Sequence, residues 1–276
     1  MNYTEVYFTA SPDVCEILLA ELGALPYDSF EETEGGLKAY VLEDQYDEEP
    51  LKELVAQYEA LGPISYQVQT IPRVNWNEAW EKNFHPITVG DQIHVRADFH
   101  EANARVAYEI IIVPKMSFGT GHHDTTSQML QLQLNLDHEG KTVLDAGTGT
   151  GILAIMADKK GAAKIYANDI DDWCIDNSRE NFSLNKCQEI ILEKGTVTVF
   201  AGMQVDILLA NINKNVLLEE IPAYADLVVK GGSLLLSGFY EADIPDLEAV
   251  LNKSGFSLVE NTVQHNWAAL RCVKNS

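Results

Sequence analysis

The sequence predicts an α/β protein: a doubly wound, mostly parallel seven-stranded sheet preceded by a small ferredoxin-like α+β domain. Three observations carry this expectation. The first seventy residues alternate between strand-like and helix-like apolar spacing in the order βαββαβ. From Lys141 onward, apolar runs of strand length alternate with amphipathic helical segments, as in parallel sheets buried on both faces. The first of those runs ends in a glycine-rich turn that opens a helix.

Asn2 to Ala10 alternates around Val6 and Phe8 as a strand. Ser11 and Pro12 then stand as N-cap and first helical position of an apolar periodic run through Leu22 that stops at Gly23. Tyr27 to Thr33 and Leu37 to Glu43 flank Gly35 and Gly36 as a hairpin. Pro50 to Leu61 has helical spacing, and Ile64 to Ile71 alternates again. Asn75 to Asn83 reads as a linker helix on which Trp76 and Trp80 share a face suited to packing. Gln92 to Val95 and Ala107 to Val113 are expected to form a hairpin. Seven strands follow: Thr142 to Asp145, Lys164 to Asp169, Glu189 to Glu193, Val205 to Asn211, Gly232 to Ser237, Phe256 to Val263 and Trp267 to Val273. Helices are expected at Ile152 to Lys160, Asp171 to Asn185 and Val216 to Val229. The tight connection at His265 and Asn266 makes one of the last two strands antiparallel. The expected organisation is a first domain over 1–70, a linker helix over 71–90 and a second domain over 91–276.

Composition bounds the function. With 276 residues, 46% of them hydrophobic, the chain builds a sizeable core and has no disorder-class bias. No apolar run approaches the roughly 18 residues of a membrane helix. The opening MNYTEVYFTA lacks the basic and apolar regions of a signal peptide, so a cytoplasmic location is expected. Cys15, Cys174, Cys187 and Cys272 form no CxxC pair, which points to buried thiols rather than a disulfide or zinc framework. Nineteen Lys and Arg stand against 42 Asp and Glu, a net charge of −23, which disfavours a direct grip on nucleic acid and favours a basic protein partner. Residues 1–60 carry −13 of that charge, from fifteen acids and two lysines. That region is either a solvated acidic face or a docking surface for a cationic partner.

The central motif is VLDAGTGTGILAI, Val143 to Ile155, where a strand ends and Gly147, Gly149 and Gly151 let backbone approach a ligand closely. Ile152 stands where a dinucleotide fingerprint wants its last glycine, and the Lys of a phosphate loop is absent, so nicotinamide cofactors and nucleoside triphosphates are both demoted. Asp169, at the carboxyl end of the next strand, is placed to accept hydrogen bonds from both ribose hydroxyls of a nucleoside, while Asp171 starts the following helix. Asn211 ends a buried strand at the same edge and reads as ligand-facing or as the cap of the helix that follows. His122, His123 and Asp124 are adjacent, but successive side chains point differently and no further ligand has suitable spacing, so no metal is expected.

These features resemble a class I S-adenosylmethionine-dependent methyltransferase. The run PKMSFGTGHHDTTSQML, Pro114 to Leu130, is more narrowly similar to the loop and helix before the cofactor turn of the large-subunit ribosomal protein 11 methyltransferases. NWNEAWEKNFHPI, the ANI of Ala210 to Ile212 and the final HNWAALRCVK agree, so the resemblance covers essentially the whole chain. It implies S-adenosylmethionine bound at Thr126, Gly147, Gly149, Asp169 and Asn211, with Phe118 and Gly119 in a loop over it. It also implies methyl transfer to lysine and N-terminal amines of a basic large-subunit ribosomal protein held by the first domain. Because the sulfonium methyl is already activated and the amine can lose its proton to solvent before attack, no obligatory general base is expected. Asp124 stands where that family usually has Pro, and Thr148 and Thr150 where it often has Cys and Ser. No catalytic acid or base is named, and a monomer without membrane association is expected. The competing readings are a methyltransferase of a small molecule and a non-catalytic module that kept the cofactor fold.

Overall fold

The structure is a computed structural model that describes residues 3–23, 25–33, 35–71, 84–113, 118–187 and 189–275. It divides into two compact units, 1–80 and 81–276.

In the first unit, β1 (Tyr3–Thr9), α1 (Pro12–Leu22), β2 (Tyr27–Thr33), β3 (Gly36–Leu42), α2 (Glu48–Tyr58) and β4 (Ser65–Ile71) follow in order. The sheet order is β2-β3-β1-β4 with every pair antiparallel, the ferredoxin-like arrangement. Alternation along β1 and β3 sends Val6, Phe8, Leu37, Ala39 and Val41 to one face, where they bury against Leu18 and Leu22 of α1 and Leu51 of α2. The α2 helix begins ahead of Pro50 because Asp47 caps it, accepting from Glu49 N at 3.1 Å. The helix expected over 75–83, with Trp76 and Trp80, lies outside the described residues.

The second unit opens with a three-stranded sheet of β5 (Ile87–Val89), β6 (Ile93–Arg96) and β7 (Tyr108–Ile111). Here the expected hairpin is corrected: β6 and β7 pair in parallel, and the hairpin is β5 with β6. Gly90 and Asp91, at φ 55° and 54°, make the tight left-handed turn a hairpin needs. The connection from β6 to β7 is instead long enough to carry the chain back, and Arg96 holds it through the carbonyls of Ala97 and His100 and through Glu109. A strand at 87–89 also means that the second unit's structure starts inside the stretch expected as linker.

The remaining elements are α3 (Asp124–Leu134), β8 (Thr142–Ala146), α4 (Ile152–Lys159), β9 (Lys164–Asp169), α5 (Asp172–Leu184) and β10 (Ile190–Lys194). After them come β11 (Val205–Asn211), α6 (Lys214–Leu227), β12 (Val228–Tyr240), α7 (Ile244–Lys253), β13 (Phe256–Gln264) and β14 (Trp267–Lys274). The seven strands run β10-β9-β8-β11-β12-β14-β13, parallel except for β14, which is antiparallel to both neighbours. His265 and Asn266, both left-handed at φ 47° and 69°, close the β13 to β14 hairpin. One face of the sheet is covered by α3, α4 and α5 through Met129, Leu130, Ile155 and Phe182; the other is covered by α6 and α7 through Leu217, Ile221, Tyr224 and Leu247. Because strand order reverses between β8 and β11, their carboxyl ends open onto a crevice. Among the described residues no helix is long and apolar enough to cross a membrane.

His138, between α3 and β8, is 1% exposed, and its Nδ1 lies 2.8 Å from Leu136 O. Burial lowers its pKa from 6.5 to about 4, so it folds as the neutral ring. The stability this contributes is present above pH 6.5 and is lost as pH falls through about 4. Thermal melts should show the advantage of the wild type over His138→Gln shrinking steadily across that window.

Candidate functional site

After β8 the chain turns through Gly147, Gly149 and Gly151, all left-handed at φ 71°, 57° and 84°. Space as well as conformation demands glycine here. A Cβ on Gly149 would strike the Phe118 carbonyl, one on Gly147 the Ile212 side chain, and one on Gly151 the Phe182 ring. Gly147 N and Thr148 N both donate to Asn168 O at 2.9 Å. Gly149 N donates to Asp169 Oδ2 at 2.9 Å, while Asp169 Oδ1 accepts from Asp171 N at 3.1 Å. Asp171 caps α5 by accepting from Trp173 N, the role read from the sequence.

Beneath the turn, Asp145 is 1% exposed and its Oδ2 accepts from Thr148 Oγ1 at 2.6 Å and Ala154 N at 3.2 Å. Burial pushes this carboxyl up to about 7; the two hydrogen bonds oppose the rise and the Asp169 charge adds to it.

Asn211, the last residue of β11, donates from Nδ2 to Thr126 Oγ1 at 3.3 Å. The capping alternative falls to Asn213, which caps α6 by accepting from Val216 N at 3.2 Å. Asn211 Oδ1 is buried without a partner among the described residues, and so is Asn168 Oδ1. Phe118 and Gly119 dock onto the turn: Thr150 N donates to Phe118 O at 3.0 Å and Thr150 Oγ1 to Gly119 O at 2.5 Å. The Phe118 ring, 53% exposed, begins an aromatic row. Its centroid lies 5.2 Å from His123, His123 lies 4.7 Å from Trp267, and Trp267 lies 4.2 Å from Tyr240.

Phe118, Gly119, Thr126, Gly147, Gly149, Asp169 and Asn211 all line one cavity of about 440 Å³. It follows the carboxyl edge of the sheet from Thr196, beyond β10, to Trp267 at the start of β14. Sequence reasoning did not single out His123, Ile170, Glu220 and Trp267 as lining residues. The antiparallel β14 placed Trp267 at this edge and was a usable signal; Glu220 lies in an ordinary amphipathic helix and gave none. His122, His123 and Asp124 do not converge: His122 Nε2 donates to His85 O at 2.8 Å, His123 caps α3, and Asp124 Oδ2 meets His265 Nδ1 at 3.1 Å. Among the described residues no three metal-ligating side chains cluster.

An adenosyl ligand fits these residues. The cavity has the size of a small-molecule site, the glycine backbone forms an open floor, and two buried amide oxygens await donors. The strand order with its antiparallel β14, and a glycine turn facing an acidic strand end, define a class I methyltransferase, whose methyl donor is S-adenosylmethionine.

Residues 18–275 match the family model described as ribosomal protein L11 methyltransferase (PrmA). Two relatives called ribosomal protein L11 methyltransferase are similar over nearly their whole length. The one from Phocaeicola vulgatus is 42% identical, covering 99% of each chain, and the one from Porphyromonas gingivalis is 44% identical, covering 95% of this chain and 91% of its own. A crystal structure of ribosomal protein L11 methylase from Lactobacillus delbrueckii subsp. bulgaricus superposes with a TM-score of 0.64 at 28% identity, covering 70% of this chain and all of that one. The chain belongs to the ribosomal protein L11 methyltransferase family.

Asp145 yields a counterintuitive outcome. Its folded pKa is raised, so its contribution is fully present below 3.8 and is lost as pH rises through about 7. Asp145→Asn should therefore gain stability relative to the wild type between pH 5 and 8, by about 3 kcal/mol. Denaturant midpoints at the two pH values measure this.

Proposed function

We propose that this chain transfers methyl groups from S-adenosylmethionine to lysine side-chain and N-terminal amines of ribosomal protein L11. The observation that carries the chemistry is Asn211, whose buried carboxamide oxygen lacks a partner among the described residues where the cavity meets the aromatic row. That oxygen accepts an N–H of the incoming amine and turns its lone pair toward the reacting carbon, with Thr126 fixing the amide from the other side. When bound, the cofactor supplies a methyl already activated on a sulfonium, so the protein's task is alignment. Asp169 would hold the ribose hydroxyls through the lone pairs its backbone donors leave free. Gly147 and Gly149 permit close backbone approach, and Phe118 and Gly119 cover the reacting end.

The amine must arrive neutral. A lysine of pKa about 10.4 is neutral roughly once in 2,500 molecules at pH 7. Desolvation beside Phe118 and Trp267 raises that fraction, and the proton leaves to solvent before attack, so no side chain acts as general base. The family's name gives the target, and the −13 charge of residues 1–60 supports a first unit that selects a basic substrate. On this reading residues 1–70 form the substrate-selecting domain, a linker ends before β5 and the catalytic domain follows from β5 onward, and the enzyme works as a cytoplasmic monomer with no direct hold on nucleic acid.

Mass spectrometry of purified L11 incubated with enzyme and labelled donor tests the function: added methyls on lysine or the N-terminus are expected, and unmodified L11 would return the small-molecule reading. Asp169→Ala should weaken donor binding by about 1.5 to 3 kcal/mol in calorimetry, the range for a hydrogen bond to a charged group. Residues 73–276 alone should bind donor almost as the full chain does yet methylate L11 poorly. Transfer by the full chain should fall as salt screens the encounter.

A further inference from the structure

The cavity contains a second carboxylate. Glu220 on α6 lines it, and the position of this side chain is set from below: Tyr224, one turn later and 0% exposed, donates its hydroxyl to Glu220 Oε2 at 2.6 Å. Burial raises the Tyr224 phenol far above its ordinary value, so it stays a donor at any working pH. Among the described residues Glu220 Oε1 has no partner. Glu220 is half-buried, so a ligand that fills this cavity displaces water from the carboxylate and has to supply a donor in its place.

Its place in the cavity identifies that donor. Glu220 is seven residues beyond the Asn213 cap, about 10 Å along the helix from the end where Asn211 awaits the amine. The α6 helix packs on the short 3₁₀ turn Val197–Phe200, which follows directly on Thr196. In the strand order Thr196 after β10 and Ile170 after β9 stand at the end of the carboxyl edge away from Trp267 on β14, and the contact of α6 with the turn after Thr196 brings Glu220 to that end of the lining. A nucleoside anchored through its ribose at Asp169, with its sulfur directed to Asn211, must extend its base toward Glu220. The only N–H donor on that base is the exocyclic amine of adenine.

We propose that Glu220, oriented by Tyr224, accepts a hydrogen bond from the exocyclic amine of the donor's base and so selects adenosyl over oxo-purine ligands. This rests on the reading of the cavity as the methyl-donor site. Inosine places a carbonyl at the same position, which a carboxylate repels.

Calorimetry on the full chain with S-adenosylhomocysteine and S-inosylhomocysteine tests the assignment. The wild type should prefer the adenosyl ligand by about tenfold or more. In Glu220→Gln, a near-isosteric change, the amide can present N–H to the inosine carbonyl, so that preference should collapse about tenfold while both ligands still bind through Asp169. Tyr224→Phe should reduce it by a smaller factor, and each ratio is taken on one preparation, so partial unfolding cancels. An unchanged ratio in Glu220→Gln, or no preference in the wild type, overturns the assignment alone. Failure of both ligands to bind the wild type overturns it together with the donor-site reading.

Discussion

The Asp169 carboxylate, receiving Gly149 N and Asp171 N at the same time, is the constraint on which the site's geometry depends. With those two hydrogen bonds it joins the turn after β8, the end of β9 and the capped start of α5. Asn168 O completes the connection by accepting from both Gly147 and Thr148. Thr150 extends it outward: its N–H and hydroxyl hold Phe118 and Gly119, and its carbonyl accepts from Asn181 Nδ2 at 2.7 Å. A left-handed glycine turn is costly to hold in one conformation, because glycine has the most backbone freedom to lose. Here every part of it is bonded to a neighbouring element, so the cavity floor is built before any ligand arrives.

Electrostatics follow the same plan. The buried Asp145 lies under the turn, Asp169 lies at its rim, and the repulsion between them is part of why Asp145 titrates near neutrality. Asp169 stands at the strand edge, 9% exposed and bonded to backbone N–H groups, while the Asp145 carboxylate ties the turn to α4 from below through Thr148 and Ala154. On the proposed reading Glu220 adds a third, so the cavity is lined by anionic acceptors at the base and ribose while its amine-facing end is aromatic and amide in character. That division suits a donor that must be held firmly and a substrate that must arrive uncharged.

Most of this was legible in the sequence because it depends on local rules. The glycine turn, Asp169 and Asn211 are marked by strand ends, and in a doubly wound sheet strand ends meet at one edge. The βαββαβ order likewise gave the first unit, since its periodicities switch cleanly at Pro12 and Gly36. What could not be read depends on contacts between distant segments. Pairing of β6 with β7 was misjudged because strand direction is set by what the connection does, and Arg96 organises that connection through contacts no local spacing reveals. The β5 strand escaped because three residues carry too little alternation. Asn211 and Asn213 are two residues apart and equally suited to capping, and only the hydrogen bond from Val216 N distinguishes them. Glu220 acquires meaning solely from Tyr224 beneath it and the cavity in front of it.

Amide hydrogen exchange of the full chain, with and without saturating S-adenosylhomocysteine, tests the donor-site assignment most directly. The expected result is protection at three separated stretches: the Gly147–Gly151 turn, residues 169–174 at the end of β9, and residues 211–213 at the end of β11, with the opposite edge of the sheet unchanged. Ligand binding that leaves these stretches unprotected, or protection confined to another part of the chain, would contradict it.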